Sequence, residues 1–306
     1  MNITTRIKNL SVPKGKIDVV IDTDTYNEID DQFAVSYLLK SSYKVNTVAI
    51  YAAPFFNKNS TSPKDGMEKS HLEILKLLDL LDMSSKSEIV YKGADCYLQD
   101  ENSPVISPAA ENLVKLAKGY TPENPLYIVA LAAITNIASA LIMAPEIKDN
   151  IVVVWLGGHS LESSNPASEF NMVQDIAAAR VVMKSKAPFV QLPCNGVASS
   201  FTISKPELEY WLVEKNKISD FLAKNTIKEA DSYAKGTPWT RPIWDVTAAA
   251  WLLNENDRFM SSRLIPTYLP EYDNLYSENK DGELMRYVYL IKRDALMKDL
   301  IDTLTL

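Results

Sequence analysis

Short apolar segments rich in β-branched residues recur along the chain, and segments with helical spacing separate them. Apolar residues that continue without interruption predict strands buried on both faces of a sheet. The predicted strands are residues 17–22, 45–51, 88–91, 125–131, 150–156, 189–192 and 286–291. The predicted helices are residues 31–40, 66–81, 111–118, 135–143, 175–184, 206–233, 244–253 and 294–304.

Strands and helices alternate from residue 17 to about residue 192 with short connections, which predicts strand–helix–strand units. We therefore predict an α/β fold, a Rossmann-like and mainly parallel sheet flanked by helices, with its active site at the carboxyl ends of the strands. No linker divides the sequence, so residues 1–306 are predicted to form a single domain. The more polar helical stretch around residues 200–240 is predicted to be an insertion that caps this domain.

The first predicted strand ends in a dense acidic sequence. Asp22, Asp24, Glu28, Asp30 and Asp31 all lie within ten residues. Carboxylates in a poorly solvated cleft need a partner, and hard divalent cations take oxygen ligands. The alternative is a solvated acidic loop, since Asp30 and Asp31 suit a helix N-terminus. The position at the end of a buried strand favours the metal site.

Polar side chains also follow the other predicted strands. Asn57 follows the second strand, Asn165, Glu169 and Asn171 follow the strand at 150–156, and Asp245 opens a late helix. Because the carboxyl ends of parallel strands meet at one edge of a sheet, we predict that these side chains face one crevice. The crevice lacks the cations or glycine-rich loop that a phosphate would need. It suits a calcium ion and a neutral polyhydroxylated ligand such as a sugar.

The composition is that of an ordinary globular protein, with 46% apolar and 23% charged residues among 306. A net charge of −7 with scattered Lys and Arg gives no reason to expect nucleic-acid binding. The two cysteines form no disulfide framework, and the N-terminus has no signal-peptide core. No apolar run is long enough to span a bilayer. We therefore expect a cytoplasmic protein that does not act at a membrane.

Four segments, in order along the chain, resemble the inosine–uridine preferring nucleoside hydrolases. They are Asp22-Thr23-Asp24 with Asp30-Asp31, Leu131-Ala132-Ala133-Ile134-Thr135-Asn136, Trp155-Leu156-Gly157-Gly158 followed by Glu169-Phe170-Asn171 and Asp175, and Ile243-Trp244-Asp245. The resemblance extends from residue 17 to about residue 253. It implies calcium-dependent hydrolysis of the N-glycosidic bond of a nucleoside.

The resemblance also implies a role for each matching residue. The implied metal ligands are Asp24, Asp31, the main-chain carbonyl of Leu131 and Asp245. The implied sugar-binding residues are Asp30, Asn57, Asn165, Glu169 and Asn171. Asp24 would in addition deprotonate the metal-bound water, since a metal lowers the pKa of a bound water. Carboxylates around the sugar would stabilise the oxocarbenium-like transition state of glycosidic cleavage.

The loop after the first strand departs from the family pattern. Five residues, 25–29, rather than three separate Asp24 from Asp30. Glu28 within this loop is predicted to cap the next helix rather than to be an additional site carboxylate. Whether Asn27 or Glu28 reaches the substrate stays open at this point. A second departure is the pair Ala132-Ala133 in place of Gly-Pro, which leaves the turn possible and the direction of the preceding carbonyl open.

The third departure is Trp244, which stands where many members have a histidine before the last metal ligand. Tryptophan cannot protonate a leaving base at neutral pH. It can stack on one as a substrate-binding residue, and packing in the core is the equal alternative. If Trp244 lines the pocket, another group must activate the base. The residues considered for this role are Tyr233, Trp239, Arg241, His159 and His71.

The first functional hypothesis is therefore a calcium-dependent nucleoside hydrolase. One alternative is a calcium-loaded protein that binds a nucleoside or sugar and has lost its chemistry. Another is a hydrolase of a related N-riboside such as nicotinamide riboside. The complete carboxylate set favours an enzyme, because a binding protein has less need of Asp24 as a base. The resemblance also implies a homodimer or homotetramer.

Overall fold

The computed structural model describes all 306 residues, which form twelve strands and eleven α-helices. The strands are β1 (Ile17–Thr23), β2 (Val45–Ala52), β3 (Val90–Lys92), β4 (Leu126–Ala130), β5 (Ile151–Leu156), β6 (Phe189–Leu192), β7 (Thr202–Ser204), β8 (Thr240–Pro242), β9 (Met260–Pro266), β10 (Tyr268–Pro270), β11 (Tyr276–Glu278) and β12 (Leu284–Ile291). The helices are α1 (Ile3–Asn9), α2 (Asp30–Lys40), α3 (Pro63–Leu80), α4 (Pro108–Ala117), α5 (Thr135–Met143), α6 (Phe170–Gln174), α7 (Ile176–Lys184), α8 (Lys205–Trp211), α9 (Lys217–Ala234), α10 (Asp245–Trp251) and α11 (Arg293–Thr305). None of the helices is long and apolar enough to cross a bilayer.

Eight strands form one sheet in the order β3-β2-β1-β4-β5-β6-β12-β9. All neighbouring pairs are parallel except β12 and β9. β1 lies inside the sheet, where Asp22 is opposite Tyr51 of β2 and Ala130 of β4. The predicted mainly parallel α/β fold is confirmed. The acidic sequence after β1 lies at the carboxyl edge of the sheet.

Successive residues of the interior strands pack against opposite faces of the sheet. Val19 and Ile21 of β1 belong to one hydrophobic cluster with α2, α10 and α11. Val20 belongs to a second cluster with α4, α5 and α7. Because helices cover both faces, each position of an interior strand is apolar. This double burial explains the continuous apolar runs in the sequence.

Two helices begin earlier than predicted because Ser-Pro sequences start them. The Ser62 hydroxyl caps α3 by accepting the backbone N–H of Asp65 at 3.1 Å, and Pro63 follows in the first turn. Ser107 and Pro108 start α4 in the same way. A serine cap followed by proline is a common helix start. The predicted starts at residues 66 and 111 are therefore each three residues late.

The stretch around residues 200–240 contains α8 and α9 between the antiparallel strands β7 and β8. The single helix predicted over residues 206–233 is wrong. Glu214 has a left-handed backbone, with φ of 60°, and Asn216 then caps α9. α9 packs against α2, α3 and α11, so this helical stretch covers one side of the domain. The assignment of residues 1–306 to one domain stays a prediction.

No element is predicted from the sequence for the first sixteen residues or for residues 254–285. The structure places α1 in the first stretch and β9, β10 and β11 in the second. β9 pairs with β12 at an edge of the sheet, and β10 and β11 form a separate hairpin. The sequence of β9 mixes polar residues with a terminal proline. Its strand propensity is therefore weak, and pairing with β12 stabilises it.

Candidate active site

A cavity opens at the carboxyl edge of the sheet, where β1, β4 and β5 end. The loops after these strands meet the first turns of α2 and α10, which pack against each other. The lining residues are Asp24, Asn27, Glu28, Asp30, Asp31, Leu131, Leu156, Glu169, Phe170, Asn171, Trp244 and Asp245. Six of these twelve residues carry carboxyl groups, and none carries a positive charge.

Four aspartates in this cavity form a tight, buried cluster. Carboxyl oxygens of Asp30, Asp31 and Asp245 lie within 4.8 Å of one another, and the buried carboxyl group of Asp24 is close enough for the charges of Asp31 and Asp30 to raise its pKa. Burial raises the pKa of Asp24, Asp30 and Asp245 well above the ordinary range, and neighbouring carboxylates raise it further. Burial raises the pKa of Asp31 to about 6, and the hydroxyl of Thr23 limits that rise by donating to its carboxylate.

Local backbone structure brings these aspartates together. Asp30 and Asp31 occupy the first turn of α2, and Asp245 is the first residue of α10. Free backbone N–H groups and the helix dipole favour negative charge at both N-termini. Asp30 and Asp31 therefore begin a helix, as the alternative of a solvated acidic loop assumed, but they are buried in the cluster rather than solvated.

The cluster has the chemistry of a site for a hard divalent cation. Both carboxyl oxygens of Asp24, one of Asp30 and one of Asp245 are buried without a hydrogen-bond donor. Such oxygens are costly to bury, and a cation with oxygen ligands relieves the cost. The residues thus fit a metal ion. Asp30, which the sequence assigned to the sugar alone, lies in the same cluster as the proposed ligands Asp31 and Asp245.

Two side chains fix the turn that follows β4. Asn171 Nδ2 donates to the carbonyl oxygens of Leu131 and Leu156 at 2.9 and 3.1 Å. Trp155 Nε1 donates to the carbonyl oxygen of Ala132 at 2.9 Å. An alanine pair therefore forms this turn without the Gly-Pro of the family pattern. Leu131 lines the cavity, and its carbonyl oxygen retains a second lone pair for another partner.

Glu169 lines the cavity and also caps α6. Its carboxylate accepts the backbone N–H groups of Gly158, Asn171 and Met172 at 2.9, 2.8 and 3.0 Å. Gly158 has a φ of 76°, and a Cβ there would collide with the hydroxyl of Tyr276, so the position requires glycine. Burial raises the pKa of Glu169 to about 7 although these N–H groups favour its charged form.

Asp22 of β1 takes part in hydrogen bonds that link the ends of three strands next to the cavity. The side chain of Asn136 donates to Asp22 at 2.7 Å, and its oxygen accepts the backbone N–H of Ala94 at 2.8 Å. The backbone N–H of Leu131 donates to the carbonyl of Asp22 at 2.8 Å. Burial raises the pKa of Asp22 to about 7. The ends of β1, β3 and β4 are joined through these bonds.

Two of the predicted sugar-binding asparagines do not line the cavity. Asn57 is partly buried beside it and donates its side-chain N–H to Asn27. Asn165 is exposed on the loop after β5. This loop folds back on itself, with the backbone N–H of His159 donating to the carbonyl of Pro166 at 2.7 Å. The prediction that Asn165 faces the crevice is therefore corrected.

Glu28 lines the cavity and does not cap α2. The cap position belongs to Ile29, whose side chain makes no capping bond. The carboxylate of Glu28 pairs instead with Arg241 at 3.2 Å, and Arg241 lies 3.1 Å from Glu229 of α9. The predicted capping role is wrong. The longer loop directs Glu28 towards the helical insertion.

Trp244 combines the two roles that the sequence left open. It packs against the hydrophobic core and also lines the cavity. None of the five candidates for activating the leaving base lines the cavity; they are Tyr233, Trp239, Arg241, His159 and His71. Burial lowers the pKa of both histidines. Only Arg241 reaches the lining, through its ion pair with Glu28.

Sequence reasoning assigned no role to Leu156 and Phe170, which both line the cavity. Leu156 ends β5, and Phe170 stands between Glu169 and Asn171. Each lies next to residues that the sequence already placed at the site, and this proximity could have predicted that Leu156 and Phe170 line the cavity. Phe170 is 37% exposed, so its ring lies at the mouth of the cavity.

A family model described as inosine-uridine preferring nucleoside hydrolase matches residues 19–283. A curated relative, the pyrimidine-specific ribonucleoside hydrolase RihA of Salmonella paratyphi A, is 30% identical over 157 residues. The aligned region is 49% of this chain and 50% of the relative. The chain thus spans about half the length of the curated relatives that it matches.

Solved structures share the fold along nearly the whole chain. A plant nucleoside hydrolase has a TM-score of 0.75 at 18% identity, covering 96% of this chain and 99% of the other. A purine-preferring ribonucleoside hydrolase from Gardnerella vaginalis has a TM-score of 0.70 at 22% identity, covering 94% of this chain and 98% of the other. At these identities the likeness shows the fold, a mainly parallel sheet flanked by helices.

Proposed function

The chain belongs to the inosine–uridine preferring nucleoside hydrolase family, and from this premise we propose that it hydrolyses the N-glycosidic bond of a ribonucleoside to ribose and the free base. The observation that carries the proposal is the buried cluster of Asp24, Asp30, Asp31 and Asp245 at the carboxyl edge of the sheet. A cavity lined by acceptors suits a sugar, whose hydroxyl groups are donors, better than it suits a phosphate.

The proposed metal ion is calcium, with Asp24, Asp31, Asp245 and the carbonyl of Leu131 as its ligands. The all-oxygen donor set supports calcium, since zinc sites usually include nitrogen or sulfur. Calcium–oxygen distances of about 2.3–2.6 Å allow ligand oxygens up to about 5 Å apart. The carboxyl oxygens of the two proposed ligands Asp31 and Asp245, which lie within 4.8 Å of each other and of Asp30, agree with this limit. When bound, the ion supplies Lewis acidity and an orientation for the attacking water.

Asp24 is proposed to take the proton of the attacking water. Both of its carboxyl oxygens are buried and free of donors. Burial, followed by the charges of Asp31 and Asp30, raises its pKa. A carboxylate with a raised pKa is a stronger base, and it therefore accepts this proton more readily at neutral pH.

The sugar is proposed to lie against Asp30, Glu169 and Asn171. As the glycosidic bond breaks, the sugar gains positive charge, which carboxylates around it stabilise. Glu169 is held by three backbone N–H groups, so its position does not depend on the ligand. The amide NH₂ of Asn171 is bonded to two carbonyls, which leaves its oxygen for the substrate.

A second candidate function is the hydrolysis of a cationic N-riboside such as nicotinamide riboside. Trp244 lines the cavity and no histidine does, so a base that leaves without protonation suits this site. When the C1′–N bond of a pyridinium riboside breaks, its electron pair neutralises the ring nitrogen. Water supplies the new C1′–O bond and one released proton. A cationic ring would also be attracted by Trp244 and the carboxylates.

The test is the release of reducing sugar from uridine, inosine and nicotinamide riboside in the presence of calcium. We expect release from at least one substrate, and Asp24→Asn should lower kcat by about a thousandfold because the general base is lost. Asp281→Asn, which makes the same chemical change at an exposed site, is the control. Fastest cleavage of nicotinamide riboside would favour the second candidate. Activity that survives in Asp24→Asn would refute the base assignment.

Binding without turnover would favour the alternative of a calcium-loaded nucleoside- or sugar-binding protein. Isothermal calorimetry with uridine measures this directly when no sugar is released. We also propose, from the family resemblance, that the protein is a homodimer or homotetramer. Light scattering coupled to size-exclusion chromatography tests the oligomeric state by comparing the molar mass with the 34.2 kDa of one chain.

A further inference from the structure

Three asparagines form a chain of hydrogen bonds beside the cavity. The backbone N–H of Asn59 donates to Asn57 Oδ1 at 2.8 Å, and Asn57 Nδ2 donates to Asn27 Oδ1. The side chain of Asn59 also donates to the backbone carbonyl of Asn27 at 2.8 Å. Asn27 belongs to the longer loop after β1, whereas Asn57 and Asn59 belong to the loop after β2.

The backbone N–H of Asn59 fixes the orientation of both side-chain amides. An N–H can only donate, so the atom of Asn57 that faces it must be the oxygen. The nitrogen of Asn57 then faces Asn27, and the atom of Asn27 that receives it must also be an oxygen. The amide nitrogen of Asn27 is consequently on the side away from Asn57.

This nitrogen is a donor without a partner in the protein, and it belongs to a residue that lines a cavity of acceptors. Asn27 is only 7% exposed and lines this cavity as well as a neighbouring one beside Tyr26 and Asn59, yet its Nδ2 makes no hydrogen bond within the protein. The carboxyl groups of the lining are acceptors when charged, and Asn171 uses its NH₂ for two carbonyls. The indole N–H of Trp244 is the other side-chain donor of the lining without a partner in the protein.

We propose that Asn27 donates a hydrogen bond to a hydroxyl group of the substrate sugar, and that Asn57 is a positioning residue that orients the Asn27 amide. The inference rests on the proposed function, because it assigns a sugar contact in that same site. A sugar hydroxyl both donates and accepts. It can donate to a carboxylate such as Asp30 while it accepts from Asn27.

The first test compares Asn27→Ala with the wild-type protein on uridine and on 2′-deoxy-, 3′-deoxy- and 5′-deoxyuridine. We expect Asn27→Ala to lower kcat/KM for uridine about tenfold, as loss of one hydrogen bond to the substrate does. With the analogue that lacks the contacted hydroxyl, the loss should shrink to less than about threefold. An equal loss on all four substrates, or none on uridine, overturns the assignment.

The second test uses the donor-to-acceptor direction of the hydrogen bonds from Asn59 through Asn57 to Asn27. Asn57→Asp places an acceptor opposite Asn27, which reverses the Asn27 amide and turns its oxygen towards the carboxylates. Asn57→Ala only removes the hydrogen bond that Asn57 donates to Asn27. We therefore expect Asn57→Asp to raise KM several-fold more than Asn57→Ala. A role in packing alone predicts the opposite order, because alanine removes more atoms.

Lys58→Ala is the matched control for the charge of Asn57→Asp. It makes the same change of −1 at the next residue, on an exposed side chain outside the chain of amides. We expect it to change KM less than twofold. A KM in Lys58→Ala as high as in Asn57→Asp would attribute the effect to charge and overturn the orienting role. The Asn27→Ala comparison stays decisive if Asn57→Asp does not fold.

The outcomes separate this inference from the proposed function. If the wild-type protein binds uridine without cleaving it, the proposed hydrolysis fails, and the same comparisons are made on dissociation constants from calorimetry. If it cleaves uridine and Asn27→Ala is unaffected, only the inference fails. If it neither binds nor cleaves uridine, inosine, nicotinamide riboside or free ribose, both are wrong.

Discussion

Calcium should stabilise this protein through the aspartate cluster. Two unit charges 4.8 Å apart repel by about 3 kcal/mol at an effective dielectric constant near 20. Three carboxyl groups lie within that separation, and Asp24 is a fourth close neighbour. Burial and neighbouring charge raise the pKa of Asp24, Asp30 and Asp245. Without a cation, the cluster therefore keeps protons, and this reduces the repulsion.

The size of the effect follows from linkage. A ligand at a hundred times its Kd stabilises the folded state by about 2.7 kcal/mol. For 306 residues, the entropy of unfolding is about 0.6 kcal/mol per kelvin. Saturating calcium should therefore raise Tm by about 4 °C. Differential scanning calorimetry of the chelated protein, with calcium added back, measures the shift.

The shift should also grow with pH. Below their raised pKa values the aspartates hold protons, and calcium must displace them. Above those values the carboxylates are charged and their repulsion is unrelieved in the absence of calcium. We therefore expect a larger calcium-induced rise in Tm at about pH 8 than at about pH 5.

Asp245→Asn separates this explanation from a general effect of salt. It removes one charge and one proposed ligand, so the chelated variant should be at least as stable as the chelated wild type, and calcium should no longer raise its Tm. Asp281→Asn, outside the cluster, should retain the full shift. A wild-type Tm that does not respond to calcium, or an equal response in Asp245→Asn, would refute the reasoning.

Three further predictions concern the surroundings of the cluster. Burial raises the pKa of Glu169 to about 7 from an ordinary 4.5, so its contribution to stability is present below pH 4.5 and is lost as pH rises to 7. Glu169→Gln should remove about 3 kcal/mol of pH dependence from urea unfolding, and an unchanged profile would contradict the shift. Gly158→Ala should cost about 1–3 kcal/mol in the same assay, because of its positive φ and the collision with Tyr276. Glu28→Gln should cost less than about 1 kcal/mol, since Glu28 is 42% exposed in its pair with Arg241, and a larger loss would indicate a structural role.

The sequence determined the sheet and the acidic edge. Interior strands such as β5 are apolar at every position because helices cover both faces, and this pattern is visible without any structure. Parallel strands bring their carboxyl ends to one edge. Asp24, Asp31 and Asp245 could therefore be placed together from their positions after a strand or at a helix start. For these three aspartates, the residue type and the position next to a strand end or helix start were sufficient to predict that they lie at the site.

Only the tertiary structure decided which side chains reach the cavity from the loops. The loop that carries Asn165 turns away, and Asn57 stands behind Asn27, thirty residues earlier in the chain. Glu28 is directed by Arg241, which is 213 residues away. The weak strand β9 is stabilised by pairing with β12. In each case the conformation depends on a partner distant in sequence, so no local spacing or propensity could have predicted it.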